Sequence, residues 1–196
     1  MTRAQHAVAT TAATLEAARL VRAAQCGDQS AFGQLYRRYA GMVHAIALSR
    51  LPPDDIADAV QETFFRALRR LSTLRQADAF GTWLGTIARN VVRDVARTRV
   101  AQTGEAEEAH RPATQEHRVE ARAALKVIQS LPKAYRETVA MRVVKGMTGP
   151  EIAHRTGLSA GSVRVNLHRG MKLLRRRLEA SVRRRSRQAV IPPTDH

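Results

Sequence analysis

Between Thr148 and Arg169 the chain carries polar side chains at a spacing suited to the edges of base pairs. Ser162, Arg164, Val165, Asn166, His168 and Arg169 share one face of a predicted helix, while Val163 and Leu167 anchor the opposite, buried face. Arg can donate a bidentate pair of hydrogen bonds to guanine, and Asn can do the same to adenine. Before that helix, Thr148-Gly149-Pro150-Glu151 has the spacing of a capping box that opens a short helix with Ile152 and Ala153 inward. Pro150 is tolerated in its first turn. Gly157 permits a sharp turn at positive φ, Leu158 is expected to plug the angle between the helices, and Ser159 caps the second helix. This is a helix-turn-helix pattern. A plain helical hairpin with a polar outer face would share it, so the surrounding charge has to discriminate.

That charge is lopsided. The 196 residues carry a formal net charge of +16. Residues 1–118 hold 16 Arg and no Lys against 12 acids, whereas residues 119–196 hold 17 Lys and Arg against 5 acids. The C-terminal part therefore suits a polyanion, either nucleic acid or an anionic membrane surface. Arg175-Arg176-Arg177 and Arg183-Arg184-Arg185 extend the basic surface as phosphate contacts, or else are cations suited to a solvated helix end.

Enzymatic chemistry finds little support. There is no His-x-Glu with a Cys-x-x-Cys, no His-Glu-x-x-His and no Gly-x-x-x-x-Gly-Lys phosphate loop. The carboxylates from Asp54 to Asp58 sit at an exposed helix start, a poor cage for magnesium. The chain is read as a non-enzyme with no cofactor and no metal. Cys26, the one cysteine, cannot form an internal disulfide; it is expected to be a small buried hydrophobe, and a reducing cytoplasm fits. No apolar run is long enough for a signal peptide or a membrane span.

The elements that would position these groups are all helical, because the apolar spacing follows the helical period almost everywhere. The predicted fold is all-α, with two small helical domains joined by a flexible linker. Residues 1–18 read as a flexible tail. A first helix covers about Leu15 to Cys26 and closes at Gly27. Asp28 caps a second helix that extends to about Arg50, and Leu51-Pro52-Pro53 breaks the chain. Asp54 and Asp55 open a third helix that runs to Leu71; Ser72 to Asp78 is a loop; a fourth helix spans Ala79 to Arg99. These make a domain over 19–99. Residues 100–118 lose the apolar period and read as a linker. The second domain, 119–180, holds one helix to Ser130, another from Leu131-Pro132 to Gly146, then the helix-turn-helix, with its last helix through Leu178 and toward Arg185. Residues 181–196 are a basic tail.

Two domains with these motifs resemble one family, the extracytoplasmic-function (ECF) group of bacterial sigma factors. The likeness covers about Leu20 to Leu178. Gly27 to Phe32 with Leu35 to Tyr39 resembles the opening helix of sigma region two. Asp54 to Phe64 resembles the segment that binds the clamp helices of the polymerase's largest subunit, and Trp83 to Asn90 the helix that melts and reads the −10 element. Leu131 to Glu137 resembles the opening of region four, and Gly161 to Gly170 its −35 recognition helix. Gly149-Pro150 departs from the family's usual polar pair.

The resemblance implies a function: directing core RNA polymerase to promoters by recognising −35 duplex and trapping unpaired −10 bases, with no reaction of its own. Asp55, Asp58, Gln61 and Glu62 form a strip suited to a basic partner helix, with a solvated face as the plain alternative. Arg89, Asn90, Arg93 and Arg97, with the Ser72 to Asp78 loop, would hold single-stranded DNA. Trp83 has the chemistry to stack on a base but lies on the apolar face with Phe80 and Ile87, which favours core. Glu105, Glu107 and Glu108 in the linker either imitate nucleic-acid charge or form an acidic spacer. The implied partners are the core polymerase, at its clamp helices and flap region, promoter DNA and an anti-sigma factor. The implied location is the cytoplasm, at the nucleoid. The alternative is a conventional helix-turn-helix regulator that acts without core polymerase.

Overall fold

The computed structural model describes residues 3–103 and 116–188, with side chains over 12–101 and 123–181 and at Arg183. Every regular element among them is helical: α1 (Arg3–Gln25), α2 (Gln29–Leu48), α3 (Pro53–Arg70), α4 (Phe80–Thr103), α5 (Glu116–Ser130), α6 (Lys133–Lys145), α7 (Gly149–Thr156) and α8 (Ala160–Gln188). Two short 3-10 turns, Leu71–Thr73 and Ala77–Ala79, connect α3 to α4.

Local chemistry sets the helix boundaries. Asp28 accepts a hydrogen bond from the backbone N–H of Ala31 at 3.0 Å, which starts α2 and holds its carboxyl below the usual range. Pro52 and Pro53 separate α2 from α3, and Asp54 and Asp55 occupy the positive end of α3. Gly146 closes α6 at φ 64°, a left-handed conformation that side chains with a Cβ resist.

Each helix then buries the face its apolar spacing dictates. On α2, Leu35, Tyr39, Met42, Val43 and Ile46 are all but inaccessible, and α3 turns Ile56, Val60, Phe64 and Ala67 toward them. Phe80, Leu84, Ile87 and Val91 of α4 complete this first core. Burying each such side chain is worth about 1.5–3 kcal/mol. The second domain is built from Ile128, Leu131, Val139, Met141, Ile152, Val163 and Leu174. Gly170 of α8 lies directly against Val139 and Tyr135 of α6.

The two domains are docked, not merely tethered. Buried residues of both belong to one continuous cluster, and α6 lies against α2. The Gln129 amide donates to the carbonyls of Leu48 at 3.0 Å and Leu51 at 2.8 Å, satisfying the backbone where α2 ends.

Several sequence-based expectations need correction. The expected tail over residues 1–18 is helical from Arg3. Its second half is held by partners distant in sequence: Arg38 donates to the Ala13 carbonyl at 2.8 Å and pairs with Glu16 at 3.3 Å, and Thr14 Oγ1 lies 3.1 Å from His154 Nδ1. Cys26 is exposed, because it follows the last residue of α1 just as the chain turns at Gly27, φ 96°, and leaves the helix's inner face. Leu158 is 39% exposed and does not plug the inter-helix angle; that angle is closed by Ile152 and Val163. α4 runs to Thr103 and α5 begins at Glu116, so both helices enter the span read as linker. Glu105, Glu107 and Glu108 lie outside the described residues. α8 continues to Gln188, into the expected basic tail, as the strong helix propensity of Arg and Leu allows.

Candidate nucleic-acid interface

The helix-turn-helix assembles as its caps predict. The backbone N–H of Thr148 donates to Glu151 Oε2 at 2.8 Å, and that of Glu151 to Thr148 Oγ1 at 3.4 Å, so both halves of the capping box form. The same bonds from Thr148 hold the Glu151 carboxyl below its ordinary range. Gly157 ends α7 at φ 72°, and the N–H of Ser162 donates to Ser159 Oγ at 3.1 Å to open α8. Val163 is buried and Leu167 half-buried, which fixes the rotation of α8. Ser162, Arg164, Val165, His168 and Arg169 are consequently exposed together, with Asn166 half-buried beside them. Lys172, Arg175 and Arg176 carry the cationic surface along the same helix. Arg177 does something different: it donates to the carbonyl and hydroxyl of Ser130 and ties α8 to the end of α5. Of the second Arg triplet only Arg183 has a described side chain, and it is exposed. The array can hydrogen-bond base edges and neutralise phosphates.

A second candidate surface lies where the two 3-10 turns meet α4. Here a groove of about 440 Å³ opens between Thr73, Arg75 and Gln76 on one side and Thr82, Trp83 and Thr86 on the other. Trp83 packs its ring on Phe80 at 5.8 Å between centroids, as a core residue would, and its half-buried side chain also lines the groove. Gln25 shapes this groove from behind by donating to the carbonyls of Leu71 and Leu74, both at 2.9 Å. Thr73 lies in the loop and Thr86 on the helix that the sequence assigned to single-stranded DNA, whereas Gln25 and Thr82 were not singled out; a polar residue near the end of an amphipathic helix gives no signal of the loop it will meet.

The four α4 residues expected to hold single-stranded DNA do not form one cluster. Asn90 is exposed and accepts from Arg93 at 3.3 Å; Arg97 is exposed and reaches Asp94 at 3.4 Å. Arg89 is turned away from them. Its Nε lies 3.2 and 2.9 Å from the two carboxylate oxygens of Glu137, across the boundary between the domains. Arg50 approaches the same carboxylate at 3.4 Å.

The acid strip on α3 is likewise divided. Asp58 and Gln61 are exposed. Asp55 pairs with Arg99 at 3.0 Å, and Glu62 with Arg66 at 2.6 Å, Arg66 also reaching Asp94 at 3.0 Å. Those bonds from Arg66 hold the Asp94 carboxyl low. One helical stripe nevertheless continues from Asp58 and Gln61 to Phe65 and Leu68, which are 54% and 51% exposed. An acidic end beside a solvent-facing apolar pair has the chemistry to meet a protein with basic and apolar groups.

Among the described residues no group of three or more His, Cys, Asp or Glu could hold a metal ion, and no helix is long and apolar enough to cross a membrane.

The two domains match two family descriptions in the same order along the chain. Residues 35–102 match the family described as Sigma-70 region 2, and residues 121–174 that described as Sigma-70, region 4. The chain is 33% identical over 176 residues to the ECF RNA polymerase sigma factor BldN of Streptomyces coelicolor, an alignment covering 84% of this chain and 66% of BldN. It is 30% identical over 185 residues to the ECF RNA polymerase sigma-E factor of Escherichia coli K12, covering 84% of this chain and 95% of that relative. Among solved structures, CnrH in complex with the cytosolic domain of CnrY superposes with a TM-score of 0.61 at 28% identity, over 84% of this chain and 98% of CnrH. The region 2 match begins within α2, so α1 and Gln25 fall outside it although they pack into the same domain.

Proposed function

The chain belongs to the ECF RNA polymerase sigma factors, which direct the multisubunit polymerase to promoters, and from that premise we propose that three separate surfaces divide the work. The α3 stripe, Asp58 and Gln61 with Phe65 and Leu68, docks on the clamp helices of the largest subunit, and Asp55 and Glu62 flank it. The groove beside Trp83, with Asn90, Arg93 and Arg97, takes unpaired bases of the −10 element. The exposed α8 face, from Ser162 to Arg169, reads −35 duplex in the major groove. Exposed Val143 and Val144 at the end of α6 offer an apolar contact to the flap region. In this reading α1–α4, from Arg3 to Thr103, form the polymerase- and −10-binding domain, and α5–α8, from Glu116 to Gln188, the −35-binding domain.

The observation that carries the proposal is the segregation of charge: an acidic and apolar stripe on α3, and a cationic exposed face on α8. One chain so built can hold a protein with one domain and DNA with the other. The chain performs no reaction itself; bond formation belongs to the polymerase. It works in the cytoplasm, at the nucleoid. The likeness to CnrH, which was solved with the cytosolic domain of CnrY, supports an anti-sigma factor as a further partner.

The test is a pull-down with purified bacterial core polymerase, followed by run-off transcription from a genomic fragment library. The expected result is stoichiometric capture and discrete start sites. Specific duplex binding without core, and no start-site selection with it, would establish the conventional regulator instead.

A further inference from the structure

Behind the groove beside Trp83 lies a larger cavity that none of the three surfaces includes. It holds about 610 Å³ and opens between Leu15, Ala18 and Arg22 of α1 and Arg75, Gln76 and Asp78 of the connection from α3 to α4. That volume is within the range of small-ligand sites, about 300–1,000 Å³. The cavity and the groove share Arg75 and Gln76, so these two residues form a ridge with one hollow on each side. The ridge is held in place from α1. Gln25, the last residue of that helix, donates to the carbonyls of Leu71 and Leu74, and both 3-10 turns pack on α1. A site fixed before its ligand arrives loses less freedom on binding.

Charge singles this cavity out. The α4 cations expected to hold the strand are engaged within the chain: Arg89 with Glu137, Arg93 with Asn90 and Arg97 with Asp94. The side chains of Arg22 and Arg75 are exposed and make no hydrogen bond or ion pair among the described residues. Arg22 sits in the last turn of α1, where the helix dipole favours a cation; Arg75 sits in an irregular connection, where no dipole accounts for it. Against these two cations the cavity sets one carboxylate, Asp78. Its apolar part comes from Ala18 and Ala77, both buried, and from Leu15, which is 67% exposed. A nucleotide uses all of these groups. Its phosphates suit the arginines, its base can lie on Leu15, and its edge can bond to the Gln76 amide and the Asp78 carboxylate, which accepts from an amino group such as that of cytosine.

We propose that the cavity between α1 and the α3–α4 connection is a second nucleotide subsite for the unpaired strand. The strand crosses the ridge of Arg75 and Gln76, with one base in the groove beside Trp83 and a neighbouring base in the cavity. Arg22 and Arg75 neutralise the phosphates on either side. The inference rests on the reading of the groove as the −10 site, and it extends that site onto α1, a helix that lies outside the residues 35–102 matching region 2.

The test uses the full chain assembled with purified core polymerase, and short fluorescein-labelled DNA single strands of randomised sequence, with core alone as background. Arg22→Ala should weaken binding several-fold and flatten the slope of log affinity against log salt by about 0.7, the change for one phosphate contact on a single strand. Arg22→Lys keeps the charge and should restore the slope. Selection from the randomised strands should show base preference at two neighbouring positions for the parent. Asp78→Ala should erase one preference and keep the other, while Thr86→Ala, which lies in the groove and not in the cavity, should do the reverse. An unchanged salt slope in Arg22→Ala overturns the proposal, and so does an Asp78→Ala variant that keeps both preferences. Saturable binding of a deoxynucleoside monophosphate that Arg22→Ala abolishes, with strand binding untouched, would assign the cavity to a free nucleotide and also overturn it. Preference at a single position, with core capture and strand binding intact, sinks the second subsite alone. A parent chain that neither captures core nor binds the strands sinks the functional reading beneath it.

Discussion

Gly170 sits so close to Val139 that a Cβ built on it would lie 2.5 Å from Val139 Cγ2, with Tyr135 Cβ at 3.0 Å. That approach fixes α8, and with it the exposed cationic face, against α6. Val139 is β-branched and buried on a helix, so it has almost no alternative rotamer to retreat into. Gly170→Ala therefore overpacks a full contact, costing about 1–3 kcal/mol, partly offset by up to about 1 kcal/mol of helix propensity. The expected outcome in denaturant titration is a net loss of about 1–2 kcal/mol. A variant more stable than its parent would show that α8 does not need this approach.

Gln25 holds the groove's rear wall through two carbonyls, those of Leu71 and Leu74. Gln25→Ala leaves both without their side-chain donor, at about 1 kcal/mol per bond. Amide exchange should quicken locally over residues 71–79, and binding of single-stranded DNA should weaken several-fold with core capture unchanged. Equal exchange in parent and variant would remove Gln25 as a positioning residue.

Asp58 and Glu62 separate docking from stability. Asp58 is exposed, so Asp58→Lys should leave the melting temperature within the small range of surface substitutions, about ±0.5 kcal/mol, while abolishing capture of core polymerase. Glu62→Lys should also lose capture but melt slightly earlier, because it breaks the pair with Arg66; that exposed pair is worth at most about 1 kcal/mol. Full capture by Asp58→Lys would take the residue out of the interface.

Acid should loosen the domain contact. Burial holds two histidines at the interface below their ordinary value near 6.5: His44 on α2, which faces Lys145 of α6, and His154 on α7, which faces Arg38 of α2, Arg155 of its own helix and Thr14 of α1. Well above pH 6.5 both are neutral whether the domains are docked or apart, and neither contributes a pH dependence. As pH falls below that value the separated state takes up protons that the docked state resists. Docking therefore weakens progressively as pH drops through the lowered values. The distance between spin labels at the exposed Cys26 and at an engineered Lys172→Cys on α8 should lengthen between about pH 6.5 and 5, before the carboxylates of Glu151 and Asp94, both held low, begin to titrate. His44→Gln with His154→Gln should flatten the profile over that window, and a profile unmoved by the pair would refute the assignment.

Elements whose cause is local were legible in the residues. Asp28, Thr148 with Glu151, Gly146 and Gly157 place helix ends through bonds spanning a few positions, so their spacing announces them. The rotation of α8 followed in the same way from Val163 and Leu167. Residues whose role is set by a distant partner were not legible. The Ala- and Thr-rich start of α1 lacks a strong apolar stripe and reads as tail, yet Arg38 and His154 hold its second half from other helices. Cys26 lies one residue beyond a helix end that periodicity alone did not place.

By itself, then, the sequence determined the helical class, the two domains, the exposed cationic face of α8 and the placing of acids along α3, because periodicity, capping and charge act over a turn or two of chain. Only the tertiary structure decided which charges are engaged. Arg89 and Glu137 are 48 positions apart, and nothing in either residue's neighbourhood specifies that they meet. Their pairing arises from how α6 packs on α2, a relation between surfaces that no local pattern encodes.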